Sequence, residues 1–215
     1  MIQNYYSKSR TNLNKLATNV ISDGIEETLK HKESISLGLC GGTSVEEIYA
    51  MLKKRKIEWD KVHIFLVDER IADRSNSELI RKQFEEVLPQ KNLHLFKGAL
   101  RDYEKELFGY SKNLDFVVLS AGEDGHIASL FPNHNSILDS HNGYIIVRNA
   151  PKPPPTRLSA SYSLLENSSK GLLLFLGEEK RYAYKLFVDK KTTIEQCPAK
   201  IADRIKDIKV ITDLF

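Results

Sequence analysis

One pattern limits what this chain can fold into more than any other. A short run of branched apolar residues breaks into glycine and charge, and a helical pattern often follows. Its clearest instance is residues 114–132, LDFVVLSAGEDGHIASLFP. The run 116–119 is short and rich in branched side chains, which predicts a buried strand rather than a helix. Ala121-Gly122-Glu123-Asp124-Gly125-His126 follows at once. In an open α/β sheet, ligands bind outside the carboxyl ends of the strands. A histidine behind a glycine turn at that place can move a proton near neutral pH.

The same pattern recurs along the chain. Residues 34–40, SISLGLC, predict a strand that runs into Gly41-Gly42-Thr43-Ser44 and a helix marked by Val45, Ile48, Tyr49 and Leu52. Ser44 and Glu47 have the spacing of a capping box. Amides at a helix start after a glycine turn suit a phosphate, with Thr43 and Ser44 adding hydroxyls. A plain tight turn is the competing reading and the anion-site signal is weak on its own, because the dinucleotide fingerprint and the Walker pattern are absent and Glu46 and Glu47 already complement the dipole. Residues 61–67, KVHIFLV, predict a second strand ending in Asp68-Glu69-Arg70. Arg70 can grip a phosphate or carboxylate with its planar fork, and Asp68 can orient a histidine or a water. A surface ion-pair cluster explains the same three residues. Ser75 or Asn76 is placed to cap the helix that carries Leu79, Ile80, Phe84 and Val87. Residues 171–176, GLLLFL, predict a further strand before Gly177-Glu178-Glu179-Lys180 and a helix. A cation in the first turn of that helix opposes the dipole, which favours a ligand-facing role for Lys180.

Between these units, three- and four-residue spacing from Ser9 to Lys30 predicts an amphipathic helix. Residues 93–96 and 143–148 predict strands. Residues 102–110 predict a helix with Tyr103, Leu107 and Tyr110 inward. Residues 158–163 fit an edge strand or the start of a helix, and Val210-Ile211 can close the sheet. Ala150-Pro151-Lys152-Pro153-Pro154-Pro155-Thr156-Arg157 is stiff and extended, since proline fixes φ and removes donors. Its expected effect is to hold Arg157 in place.

The totals exclude several classes. At 215 residues and 41% apolar composition the chain suits one domain over 1–215, with no linker or repeat. A net charge of +3 is too mild to imply nucleic acid or a membrane surface as partner. Cys40 and Cys197 lack metal or redox spacing and fit free thiols in a reducing cytosol. The start, MIQNYYSKSR, has no apolar core for a signal peptide, and no run approaches a membrane span of about 20 residues. The fold class expected is α/β: a mainly parallel, Rossmann-like open sheet with helices on both faces, in three layers. Its strand ends would gather one histidine, one or two carboxylates, Arg70, Lys180 and a glycine turn, with Arg157 placed to join them. That inventory suits a small phosphorylated substrate and a proton-transfer step. It has no metal-ligand cluster and no nucleophile elbow.

These residues resemble the 6-phosphogluconolactonase family, related to the glucosamine-6-phosphate isomerases and deaminases. The resemblance runs through Gly41-Gly42-Thr43-Ser44, from Trp59 to Asp68-Glu69-Arg70, Ser75-Asn76, the run Gly122 to Pro132, Pro151 to Arg157, and Gly177-Glu178-Glu179-Lys180. The run around Gly-x-Asp-Gly-His is its most specific part. Two features favour the lactonases. No acid follows His126 shortly, where the deaminases carry a glutamate, and Arg70 stands where they tend to have tyrosine. Val45 replaces the family's usual proline after the glycine turn, and the link from Arg70 to Ser75 is shorter than usual.

The resemblance implies hydrolysis of 6-phospho-D-glucono-1,5-lactone to 6-phosphogluconate in the oxidative pentose phosphate pathway, without metal or cofactor. His126 is then the general base, oriented by Asp124 or Asp68. Gly41, Gly42, Thr43, Ser44, Arg70, Asn76, Arg157 and Lys180 are the candidate substrate- and phosphate-binding residues. Such an enzyme is expected in the cytoplasm as a monomer or weak homodimer. An amino-sugar-phosphate isomerase or deaminase is the alternative, and a non-catalytic sugar-phosphate-binding protein is a third.

Overall fold

Each of the four apolar runs becomes a buried strand, and all four lie side by side. The computed structural model describes residues 3–72 and 75–214. Strands β2 (Ile35–Leu39), β3 (Val62–Leu66), β6 (Phe116–Ser120) and β9 (Lys170–Phe175) are parallel and hydrogen-bonded in the order β9-β6-β2-β3. A parallel sheet covered on both faces needs near-continuous apolar strands, and these have them. β5 (Leu93–His94) extends the sheet beyond β3. β10 (Asp207–Thr212) and β1 (Gln3–Tyr6) extend it beyond β9, all in parallel. Val210-Ile211, expected to close the sheet, therefore lies inside it, and the closing edge is β1, formed by the polar N-terminal stretch. With helices α1 (Arg10–Leu29), α2 (Thr43–Leu52), α3 (Ser75–Phe84), α4 (Leu100–Tyr110), α5 (Tyr162–Glu166) and α6 (Arg181–Val188), the result is the expected three-layer α/β fold. Among the described residues, no helix is long and apolar enough to cross a membrane.

A second, antiparallel sheet was not anticipated. β4 (Asp68–Arg70), β8 (Arg157–Ala160) and β7 (Tyr144–Val147) form it, with β8 in the centre. Residues 158–163 thus form no edge strand: a central strand is followed by α5. Strands of three or four residues carry too little pattern to reveal which neighbour they pair with. One apolar core includes residues of both sheets.

The helix starts also differ from the spacing. α2 begins one residue before the expected capping box. Gly42, at φ +101°, occupies the cap position, and no side chain caps it. Ser44 is then already inside the helix, and Glu47 accepts from Asn14 Nδ2 at 2.6 Å instead. In α3, Asn76 lies within the first turn rather than capping it. The Asn76 and Ser77 amides donate to Glu69, at 3.1 and 2.6 Å. The short link ahead of α3 includes Asp73 and Arg74, which lie outside the described residues. Tyr103 and Leu107 are buried as expected. Tyr110 is not: it ends α4 and is 46% exposed, with its ring 3.8 Å from that of His63.

That corner holds a chain of titratable groups that runs from two buried histidines to the half-exposed Glu106. His63 Nδ1 lies 3.1 Å from His94 Nε2, and His94 Nδ1 lies 2.9 Å from Glu106 Oε2. Burial, then the neighbouring charge of His94 and Lys91, brings the His63 imidazole down to about 4. Burial also lowers His94, against the pull of Glu106. A histidine depressed on folding contributes stability above its unfolded pKa of about 6.5, and that stability is lost as pH falls toward 4. His63 should therefore cost the fold roughly 2 kcal/mol between pH 7 and 4.5. Urea unfolding of wild type and His63→Gln at both pH values checks this. Equal acid sensitivity in the two proteins would show that His63 is not the group responsible.

Candidate active site

The carboxyl ends of β2, β3, β6 and β9 open into one cleft of about 420 Å³. Gly41, Gly42, Thr43 and Ser44 form its wall after β2, and Asp68, Arg70 and Asn76 its wall after β3. His126 follows β6, Lys180 follows β9, and Arg157 enters from the small sheet. Residues expected to meet from their places in the chain therefore do so. Asp124 is the exception: it stands behind His126 rather than on the cleft surface.

The turn after β6 is built around the imidazole. Gly125 adopts φ +86°, a left-handed conformation that glycine tolerates. Its N–H donates to the Gly122 carbonyl at 3.1 Å, and the Gly122 N–H to the His126 carbonyl at 2.8 Å. A Cβ on Gly122 would lie 2.0 Å from the His126 ring, so only glycine lets the ring sit there. The ring is also 4.8 Å from that of Phe131.

Nδ1 of His126 lies 2.5 Å from Asp124 Oδ1. Burial alone would push the Asp124 carboxyl up. The hydrogen bond and charge of His126, with Lys152, outweigh it and bring it down to about 2. An ionised Asp124 accepts a hydrogen bond from Nδ1–H, which leaves the lone pair on Nε2. Of the two carboxylates considered for orienting His126, Asp124 holds the ring. Asp68 makes other contacts: Ser129 Oγ donates to it at 2.9 Å and Asn76 Nδ2 at 3.1 Å. Burial raises the Asp68 carboxyl, against Ser129 and the charges of Arg157 and His126. Asn76 is thus a brace for Asp68 as well as a cleft residue.

Cations dominate the rim. Arg70 and Arg157 are directly opposed partners across β4 and β8. Like charges facing each other across strands are unfavourable unless an anion joins them. Arg157 is 6% exposed, 5.8 Å over the Phe131 ring, and donates to the carbonyls of Lys152, Pro153 and Pro154 at 2.8–3.2 Å. The expected relation is therefore reversed in part, for the arginine holds the proline segment as much as the prolines hold it. Arg70 and Lys180 form no ion pair among the described residues. Lys180 directly precedes α6, after a short 3-10 turn. Lys152 was not singled out as a site residue, yet it lines the cleft and pairs with Glu123 at 2.8 Å and with Asp124 at 3.8 Å. Ser129 and Glu69 were also missed; both lie inside runs whose other members drew attention. Cys40 lines the floor beside Tyr49, and burial pushes its thiol up to about 12, so it is a packing group rather than a nucleophile.

A sequence profile described as Glucosamine-6-phosphate isomerases/6-phosphogluconolactonase matches residues 8–211. The chain belongs to this family. A protein named 6-phosphogluconolactonase from Borreliella burgdorferi is 33% identical over 196 residues, covering 83% of each chain. One of the same name from Helicobacter pylori is 30% identical over 213 residues, covering 94% of this chain and 92% of its own. The crystal structure of 6-phosphogluconolactonase from Thermotoga maritima superposes with a TM-score of 0.85 at 24% identity, covering all of both chains. That likeness shows the family fold over the whole length. The resemblance read from the Gly-x-Asp-Gly-His run and its companions is borne out.

Proposed function

We propose that the chain hydrolyses 6-phospho-D-glucono-1,5-lactone to 6-phosphogluconate, with His126 as general base. It is a carboxylic ester hydrolase of the 6-phosphogluconolactonase kind. One observation carries the reading of its mechanism: a histidine ring, held through Nδ1 by an ionised carboxylate at 2.5 Å, lines a cleft rimmed by cations. Nε2 takes a proton from water as its oxygen attacks the lactone carbonyl. The tetrahedral intermediate collapses with cleavage of the bond to the ring oxygen. His126 returns the proton to that oxygen, which becomes the sugar's hydroxyl. Each such transfer is worth on the order of 10² to 10⁴ in rate.

Arg70 and Arg157 flank the developing oxyanion or the phosphate. The uncapped start of α2 and Lys180 suit the phosphate, since open helix amides and an ammonium both attract a dianion. The scheme needs no metal. Among the described residues, no three His, Cys, Asp or Glu side chains are grouped as ligands.

The isomerase or deaminase reading is disfavoured by the residues after His126. That run has no carboxylate, and Phe131 is fully buried against the imidazole. The proposal extends to one domain acting in the cytoplasm as a monomer or weak homodimer.

The direct test generates the lactone with glucose-6-phosphate dehydrogenase and follows its loss against spontaneous opening. Hydrolysis well above that background is expected. Ammonia from glucosamine 6-phosphate would favour the deaminase, and binding of 6-phosphogluconate without turnover would favour a sensor. Lys180→Met should raise KM about tenfold with kcat nearly unchanged, the mark of a contact made equally in ground and transition states. An unchanged KM would remove Lys180 from phosphate binding.

A further inference from the structure

Two residues outside the cleft join its phosphate-facing walls from behind. We infer that Arg10 and Asp213 are positioning residues for the phosphate site, an inference that rests on the reading of α2 and Lys180 given above. Asp213 follows β10 directly, and both its oxygens accept the Gly177 N–H, at 2.9 and 3.1 Å. Gly177 sits at φ +108° at the end of β9, and a Cβ there would strike the Glu179 carboxylate. The turn that delivers Lys180, three residues later, is therefore anchored by Asp213.

Arg10 is the first residue of α1. Its Nη2 donates to the Ser44 carbonyl at 3.2 Å, in the first turn of α2. Its Nη1 lies 4.0 Å from Asp213 Oδ2. One guanidinium thus reaches both the glycine-turn wall and, through Asp213, the Lys180 wall.

The electrostatics point the same way. Arg10 stands at the start of α1 and beside the start of α2, where helix dipoles disfavour a cation. α1 has no acid in its first turn to offset this, so the offset comes from Asp213 on another element. Helix stability alone would not select an arginine here. Fixed spacing between two anion-attracting walls, with added positive field, suits a phosphate dianion. Glu178 does not compete for Lys180, since it is paired with Arg181 at 2.6 Å.

The test uses the whole protein with Arg10→Met, Arg10→Lys, Asp213→Ala and Asp213→Asn. Calorimetric titration with 6-phosphogluconate and with inorganic phosphate is set beside lactone kinetics. In Arg10→Met and Asp213→Ala, Kd for both ligands should weaken about 5- to 20-fold, and KM should rise by a similar factor. Kcat should stay within about twofold with its pH profile unmoved, because His126 and Asp124 are untouched. Arg10→Lys should recover part of the loss.

A fall in melting temperature with unchanged Kd would show a merely structural role and overturn the inference. So would a fall in kcat at constant KM. Should the alanine and methionine variants not fold, the lysine and asparagine variants carry the same comparison. Failure of the lactonase reading shows separately, as no turnover by the wild type, while the phosphate titration still decides the positioning role.

Discussion

Replacing His126 with alanine is expected to lower kcat for lactone hydrolysis by about 10²- to 10⁴-fold and to leave KM nearly unchanged. In the proposed scheme the imidazole handles the travelling proton, while the groups proposed for phosphate lie on other walls of the cleft. Asp124→Asn isolates the orienting contact. An amide can donate to Nδ1 as well as accept from it, so the ring loses its enforced tautomer, with an expected loss on the order of 10² or more. The double variant should be no worse than His126→Ala alone, because the two act as a unit. With Asp124 held down to about 2, its carboxylate stays ionised across the working range, so no acid limb above about pH 4 traces to it. Rates are read in the dehydrogenase-coupled assay after subtraction of spontaneous opening. A His126→Ala enzyme with wild-type kcat would remove the general base from the scheme.

The largest effect on stability is expected at Glu69. Its side chain is fully buried, although Asp68 and Arg70 flank it in the sequence, and it forms no ion pair among the described residues. It turns inward and accepts the Arg70 amide at 2.7 Å, the Asn76 amide at 3.1 Å, the Ser77 amide at 2.6 Å and the Ser77 hydroxyl. The carboxylate therefore closes the start of α3, where helix amides and dipole both favour an anion. Glu69→Ala leaves those amides buried without an acceptor, at a cost of about 3 kcal/mol or more. For a chain of this size that is a fall of about 10 °C in Tm. Glu69→Gln keeps one acceptor and should cost about half as much. Activity falls too, since the first turn of α3 carries Asn76, which braces Asp68. Denaturant unfolding reads the effect. An unchanged midpoint in Glu69→Ala would mean that water or another group caps α3.

The inward turn of Glu69 was within reach of the sequence. In a strand, successive side chains face opposite sides. If Asp68 and Arg70 face the cleft, Glu69 must face away. Reading the three charges as one cluster hid that alternation.

Patterning within a few residues determined most of what the chain revealed on its own. Short branched runs specified buried parallel strands, glycine turns marked their carboxyl ends, and three- and four-residue spacing marked α1. From these alone, His126, Arg70, Lys180 and the glycine turn belonged at one rim. Tertiary structure decided what depends on partners distant in the chain. It paired β4 with β8, setting Arg70 opposite Arg157, and it tied Asp68 to Ser129 and Asn76, so that Asp124, only two residues from His126, is the carboxylate that holds the ring. It also moved the start of α2 forward and left it uncapped. The physical reason is range. Propensity and periodicity report on neighbours within about one helical turn or one strand, whereas strand pairing and buried hydrogen bonds are chosen by whichever group the folded chain brings within 3 Å.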